Sequence, residues 1–228
     1  MFKKGKNISD AGAWCSIYLI EDQPGKCAKI LADHRGHDPG LDHPQIFAQK
    51  KYGINDLLEH ELKNYRRLIK EVPHYLRSNF VNIDGIDYSE EGERAIVMDL
   101  VFDDHGKIAP SLDNNQRELQ PEFFLTLEQI RREVLIRNAI DYFGVCARNI
   151  LVVNPKTPVL IDFQKDRRFF RSQYWLALNY FVRLKVNRYF QRVYQEAGIP
   201  DLTTATSLAD VALQLKKCIF SSTYSADM

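Results

Sequence analysis

Four polar side chains set among apolar residues are the first candidates for chemistry. Lys29 lies inside Lys26-Cys27-Ala28-Lys29-Ile30-Leu31. A lysine on an apolar strand can send its ammonium toward the α- and β-phosphates of a nucleotide. By itself it is also an ordinary surface lysine. Glu61, in Glu59-His60-Glu61-Leu62, sits on a helix-patterned segment and can hold Lys29 by an ion pair. Glu59 competes for that role, although a solvated helix face suits it better. Asn149 stands just before the apolar run Ile150-Leu151-Val152, and Asp162 ends Val159-Leu160-Ile161-Asp162-Phe163. A carboxylate closing an apolar strand is costly to bury unless it is paired or bound to a cation. An amide oxygen and a carboxylate at the same end of a hairpin are hard ligands of the kind that hold Mg²⁺ against phosphates.

The order strand lysine, helix glutamate, loop asparagine, strand-end aspartate is the one that phosphoryl transfer on a protein-kinase-like scaffold needs. It implies ATP and Mg²⁺, with Asn149 and Asp162 as metal ligands. Gly12, Lys29, Glu61, Met98, Asp99 and Leu100 would lie around the nucleotide. The adenine is expected against the backbone of residues 98–101, with Ala28 above it.

These groups need elements to position them. Residues 16–21 and 26–31 form a hairpin about the turn Gln23-Pro24-Gly25. Residues 33–44, rich in Asp, His, Gly and Pro, read as loop. Their cluster Asp33, His34, His37, Asp38, Asp42 and His43 matches no metal-ligand spacing. Leu57, Leu58, Leu62, Tyr65, Leu68 and Ile69 fall at helical intervals over 56–70, with Pro73 just beyond. Residues 80–83 and 94–100 read as strands, with turns at Asp84-Gly85 and Glu91-Gly92.

Composition changes after residue 103. A long helix is expected over 126–142, opened by a capping box of Thr126 and Gln129 and stopped by Gly144. Residues 150–153 and 159–163 make a second hairpin. Helical patterns return over 173–197, stopped by Gly198 and Pro200, and again after Ser207 and Asp210. Residues 220–228 read as a frayed tail. The expected fold class is α+β. It is a bilobal kinase-like fold with a small N-terminal antiparallel sheet plus one helix (residues 1–98), a hinge (99–104) and a mainly helical C-terminal lobe (105–228).

The bulk properties fit that size. The 228 residues are 45% hydrophobic and 27% charged, with a formal net charge of +1, so the whole molecule is no polyanion binder. Four cysteines, Cys15, Cys27, Cys146 and Cys218, are scattered without a CxxC pair, which argues against a zinc or disulfide framework. No apolar run approaches the ~20 residues of a membrane helix, and the basic N-terminus has no apolar stretch behind it. A cytoplasmic protein is the expectation. From Arg167 to Gln195 there is no acidic residue, while Arg and Lys alternate with Phe, Tyr and Trp. That stretch is either a core helix with a basic outer face or a surface for an anionic partner, such as a phosphorylated glycolipid or membrane headgroups. Nucleic acid is the less favoured anion.

The chain resembles the bacterial YrbL family (PhoP regulatory network protein YrbL), a kinase-like group. The resemblance rests on Lys26-Cys27-Ala28-Lys29-Ile30, His34-Arg35-Gly36, Glu61-Leu62-Lys63-Asn64-Tyr65, the stretch 99–107 and Asn149-Ile150-Leu151. It covers most of residues 10–195. Leu160-Ile161-Asp162-Phe163 and the basic run after it are also similar to sugar kinases that phosphorylate lipopolysaccharide core.

Three departures qualify what the resemblance implies. Kinases place the catalytic Asp five residues before the metal-binding Asn. Gly144 fills that slot here, and Cys146 replaces the usual basic residue three before the Asn. Only Gly12, in Asp10-Ala11-Gly12-Ala13-Trp14, represents a glycine-rich phosphate loop. No Ala-Pro-Glu follows Asp162. The reading is therefore a nucleotide-binding protein that is either a weak phosphotransferase or a pseudokinase, acting on a small molecule or lipopolysaccharide-type sugar. The alternative is a non-catalytic regulatory module that engages an anionic partner through the basic-aromatic helix.

Overall fold

The computed structural model describes residues 1–9, 14–33, 40–138, 140, 145–163 and 175–224, with backbone only for Tyr52, 175–181 and 218–224. Gly12, Asp141, Gly144, and His34, His37 and Asp38 of the His/Asp loop lie outside the described residues. The described chain divides into two compact units. One comprises Met1–Arg67, Val81–Val101 and Phe163. The other comprises Leu68–Phe80, Phe102–Asp162 and the described residues from Trp175 onward.

The first unit is built on a five-stranded antiparallel sheet of β1 (Lys4–Ser9), β2 (Cys15–Ile20), β3 (Lys26–Leu31), β4 (Ile83–Tyr88) and β5 (Arg94–Asp99), in the order β1-β2-β3-β5-β4. β3 is central, pairing Lys29 with Ile17 on one side and Ile96 on the other. Alternation sends Ala28 and Ile30 into an apolar cluster with Phe2, Ile20, Ala95 and Val97. Two helices start in this unit, the second with its last turn, Leu68–Glu71, counted in the other unit. α1 (Pro44–Tyr52) is capped by His43, whose Nδ1 accepts from the Gln45 N–H at 3.1 Å, and ends at Gly53 with φ 63°. α2 (Leu57–Glu71) buries Leu58, Glu61, Leu62, Tyr65 and Leu68.

Three expectations for this part need correction. β1 was not anticipated, because Lys-Gly-Lys-Asn-Ile-Ser lacks an apolar alternation. α1 was not anticipated either, since Ile46, Phe47, Ala48 and Tyr52 do not gather on one helix face. The strand expected over 80–83 lies at 83–88, and Gly85 is inside it. The register slips between Ile83 and Gly85, so this glycine marks a bulge and not a turn.

The second unit is mainly helical. α3 (Pro121–Gln129) passes directly into a π-helical segment, Ile130–Ile136. α4 (Trp175–Glu196) and α5 (Leu208–Tyr224) complete the set, joined by a hairpin of β6 (Ile150–Asn154) and β7 (Thr157–Leu160). α3 begins at Pro121, ahead of the expected start at Thr126. Proline suits the first helical turn, where its missing N–H is no loss. Thr126 is therefore mid-helix and donates its hydroxyl to the Glu122 carbonyl at 2.9 Å instead of capping. Ser207 and Asp210 open the last helix as expected, and they do so as a capping box, each side chain accepting from the other's N–H. Among the described residues, no helix is long and apolar enough to cross a membrane.

A charged network ties the helices together. Glu128, fully buried, accepts from Arg131 at 2.7 and 2.6 Å, from Arg132 at 2.9 Å and from the Tyr194 hydroxyl at 2.5 Å. Arg131 also reaches Asn187 at 2.5 Å, and Arg132 binds the carbonyls of Ala205 and Thr206. Burial, followed by the Glu128 carboxylate, pushes the Tyr194 phenol well above its ordinary pKa. Glu128→Gln leaves buried Arg131 without its counter-charge, and about 3–5 kcal/mol of stability should go with it. Tyr194→Phe removes one charge-assisted bond and should cost about 1.5–3 kcal/mol. Urea denaturation of the two variants checks both figures.

Candidate functional site

In the first unit, the lysine and glutamate meet. The Lys29 ammonium lies 2.8 and 2.9 Å from the two Glu61 oxygens, with side chains 8% and 2% exposed. β3 supplies Lys29 from the face opposite Ala28, and α2 supplies Glu61 from its buried side. Glu59, the competitor, is exposed and accepts from Arg94, which also binds Asp56. Glu61 Oε1 additionally accepts the Phe163 N–H at 3.3 Å, and the Phe163 ring packs 5.0 Å from that of Tyr65, one turn along α2 from Glu61. A buried carboxylate with two ammonium bonds and a backbone donor is well compensated for its desolvation.

The same pleat corrects one expectation. Ala28 is adjacent to Lys29 and so faces away from it, fully buried in the cluster of Phe2 and Ile20. Cys27, two residues before Lys29, shares its face. Its thiol reaches the Asp99 carbonyl at 3.8 Å, and burial pushes its pKa up to about 12. Counting by twos along the strand would have found it. Beside it, Met98 is buried, and the N–H groups of Asp99 and Leu100 donate to Asn82 and Gly25 at 2.9 and 2.8 Å. Asp99 also binds Lys26, which Asp84 shares. The Val101 N–H makes no hydrogen bond among the described residues.

In the second unit, the hairpin brings its two ends together. Ile150 pairs with Leu160, and the Ile161 N–H donates to the Asn149 carbonyl at 3.0 Å. The Asn149 side-chain nitrogen then donates to Asp162 Oδ2 at 3.1 Å. Asn149 itself closes a short 3₁₀ turn, Ala147–Asn149, with its N–H on the Cys146 carbonyl at 3.0 Å. Asp162 has φ 65°, a left-handed conformation that Asp tolerates better than most residues. The hairpin is anchored by Asn79, whose amide donates to the Pro158 carbonyl at 2.8 Å, and by the Val152 N–H on Pro110.

The donor set fits magnesium in the shared mode. The hydrogen bond from the Asn149 nitrogen to Asp162 puts an amide and a carboxylate side by side, and their oxygens are of the hard kind that magnesium takes. Among the described residues no three His, Cys, Asp or Glu side chains form a metal-binding group. A cation here would take its other ligands from phosphate and water, as Mg²⁺ commonly does. Cys146, half-buried, has a raised thiol pKa, chiefly from burial.

The weaker candidates resolve differently. Asp42 pairs with Lys50 and His43 caps α1, so both have structural work. In the described part of the basic-aromatic stretch, Phe190 and Tyr194 are fully buried while Arg183, Arg188 and Arg192 are exposed. That is a core helix with a basic outer face. Residues 167–174 lie outside the described set. The network of Glu128 and Arg131 was not anticipated. Their spacing of three within an apolar helical pattern was the available signal.

Comparison with known proteins adds the fold. No protein-family model and no curated protein matches this chain. Among solved structures, the kinase domain of PF14_0431 is similar at a TM-score of 0.52 and 12% identity, covering 86% of this chain and 62% of that one. The PknI kinase domain of Mycobacterium tuberculosis gives a TM-score of 0.47 at 12% identity, over 93% of this chain and 94% of that one. The chain thus spans less than two thirds of the first of these. It has a protein-kinase-like fold, of mixed α+β class, with a five-stranded antiparallel N-terminal sheet and a mostly helical C-terminal part.

Proposed function

We propose that this protein binds MgATP through kinase-like residues and is a weak phosphotransferase or a pseudokinase, of the type that the YrbL resemblance implies. The observation that carries the reading is the buried ion pair of Lys29 and Glu61. Removing two charges from water is expensive, and a hydrophobic pair would serve stability as well or better. An ammonium held beneath a sheet in this way suits the α/β-phosphates of a nucleotide. The Val101 N–H is a donor for the adenine edge, with Cys27 and Met98 lining its plane. Asn149 and Asp162 hold the magnesium, which neutralises phosphate charge. Gly12 belongs to the reduced phosphate loop. The hinge falls at residues 99–104, between an N-terminal lobe of 1–98 and a C-terminal lobe of 105–228.

Catalytic power is limited by Gly144. A general base contributes roughly 10²–10⁴ in rate, whereas positioning and charge neutralisation carry most of phosphoryl transfer. Slow transfer to a small molecule or a lipopolysaccharide-type sugar is therefore compatible with the residues present. A thermal-shift titration with ATP, with and without Mg²⁺, tests the reading. At 100 times Kd the ligand should add about 2.7 kcal/mol of stability, more with magnesium than without. An unchanged melting temperature at millimolar MgATP overturns it.

A further inference from the structure

We infer that the solvent face of α2 is a docking surface for a short acidic polypeptide segment. Lys63, Arg66, Arg67 and Lys70 stand at positions i, i+3, i+4 and i+7 of this continuous helix, and all four are exposed. None makes a hydrogen bond or ion pair among the described residues. Each is a helical neighbour of two others of the same sign: 63 with 66 and 67, and 70 with 66 and 67. Like charges at these spacings oppose helix formation. Glu59, which could relieve Lys63 from one turn away, is occupied by Arg94. With Glu59 taken, only Glu71, four residues after Arg67, offsets this repulsion at one end, and an incoming anion relieves the rest.

Its dimensions and chemistry choose the anion. From Lys63 to Lys70 the stripe is about 10 Å long at 1.5 Å per residue. The exposed carboxylates of Glu59 and Glu71 bound it at either end. A polynucleotide or a bilayer extends past both and meets them. Of the apolar and aromatic residues of α2, Leu57, Leu58, Leu62, Tyr65 and Leu68 are buried and Ile69 is half-buried, so no aromatic ring is offered for stacking on bases and little apolar surface for insertion into lipid. Two turns of cations instead match two turns of Asp or Glu on a partner segment. This inference does not depend on nucleotide binding.

The test uses the full chain and a labelled hepta-glutamate peptide, with phosphatidylserine vesicles and single-stranded DNA as rival probes. At low salt the peptide should bind and be released by raising salt. Arg66→Glu/Arg67→Glu should weaken binding at least tenfold. Arg188→Glu/Arg192→Glu on α4 changes net charge equally and should alter binding less than twofold. Unaltered melting temperatures confirm that both variants fold, and a single Arg66→Gln variant with an intermediate loss serves if the double variant does not. Absence of peptide binding, an equal loss in both double variants, or tighter binding of vesicles or DNA through Arg66 and Arg67 overturns the inference.

Discussion

Lys29→Met should abolish the ATP-induced rise in melting temperature and, separately, destabilise the protein. The Lys29 ammonium bonds to both oxygens of Glu61. On the proposed reading the same ammonium would bond to phosphate, and losing those charge-assisted bonds, at about 1.5–3 kcal/mol, should lower ATP affinity roughly 10- to 150-fold at about 1.4 kcal/mol per decade. Destabilisation has a different origin, because the variant strands the Glu61 carboxylate in a buried setting. That costs about 3–5 kcal/mol. Lys29→Met/Glu61→Gln separates the effects. It should recover much of the stability, since both charges are gone, while ATP binding stays lost. Calorimetric titration and urea unfolding read the two quantities. Undiminished ATP affinity in Lys29→Met would mean that the nucleotide site has been assigned to the wrong residues.

The second large effect belongs to Asp162. Asp162→Asn should remove the magnesium-dependent part of ATP binding while preserving the fold, because asparagine also tolerates the left-handed conformation at φ 65°. An alanine there would confuse metal loss with backbone strain. On the proposed reading the carboxylate would supply the charged ligand of the pair, so affinity in magnesium should fall to the magnesium-free level. Asn149→Ala, which removes a neutral oxygen, should have a smaller effect. Asp141, the nearest carboxylate in sequence to the base slot that Gly144 fills and three residues before it, is the control, and Asp141→Asn should change little. Retained magnesium dependence in Asp162→Asn places the metal elsewhere. Robust turnover that vanishes in Asp141→Asn makes this an ordinary kinase with a displaced base.

Legibility in the sequence followed the strength of local patterns. β3 is readable to the residue, because an apolar run is bounded by a Pro-Gly turn and a polar loop. The choice of Glu61 over Glu59 is readable from which helix face is apolar. The pairing of Asn149 with Asp162 follows from the hairpin between them. β1 is not readable, since its polar residues form a strand only through pairing with β2. Nor is the passage of α3 into a π-helical segment, whose side chains take part in tertiary bonds from Arg131 to Asn187, from Arg132 to the carbonyls of Ala205 and Thr206, and from Tyr194 to Glu128 just before it. Ala28 was misassigned for a simpler reason. A one-residue step along a strand reverses the face, whereas Cys27 and Leu31, two residues away on either side, keep the face of Lys29.

Membership of the first unit has a bearing on biosynthesis. Its sheet and both its helices are complete by residue 101, yet Phe163 belongs to it, with its N–H on Glu61 and its ring against Tyr65. A nascent chain that has emerged only through residue 101 lacks this donor and this ring. The face of α2 that carries Glu61 and Tyr65 must therefore wait, incompletely covered, for some sixty further residues, roughly 3–12 s at ordinary translation rates. Contacts of such long sequence separation slow folding and leave apolar surface open in the interval. The first unit is thus a poor choice for expression as a fragment ending at the sheet, and the intact chain is expected to recruit chaperones during synthesis in proportion to that delay.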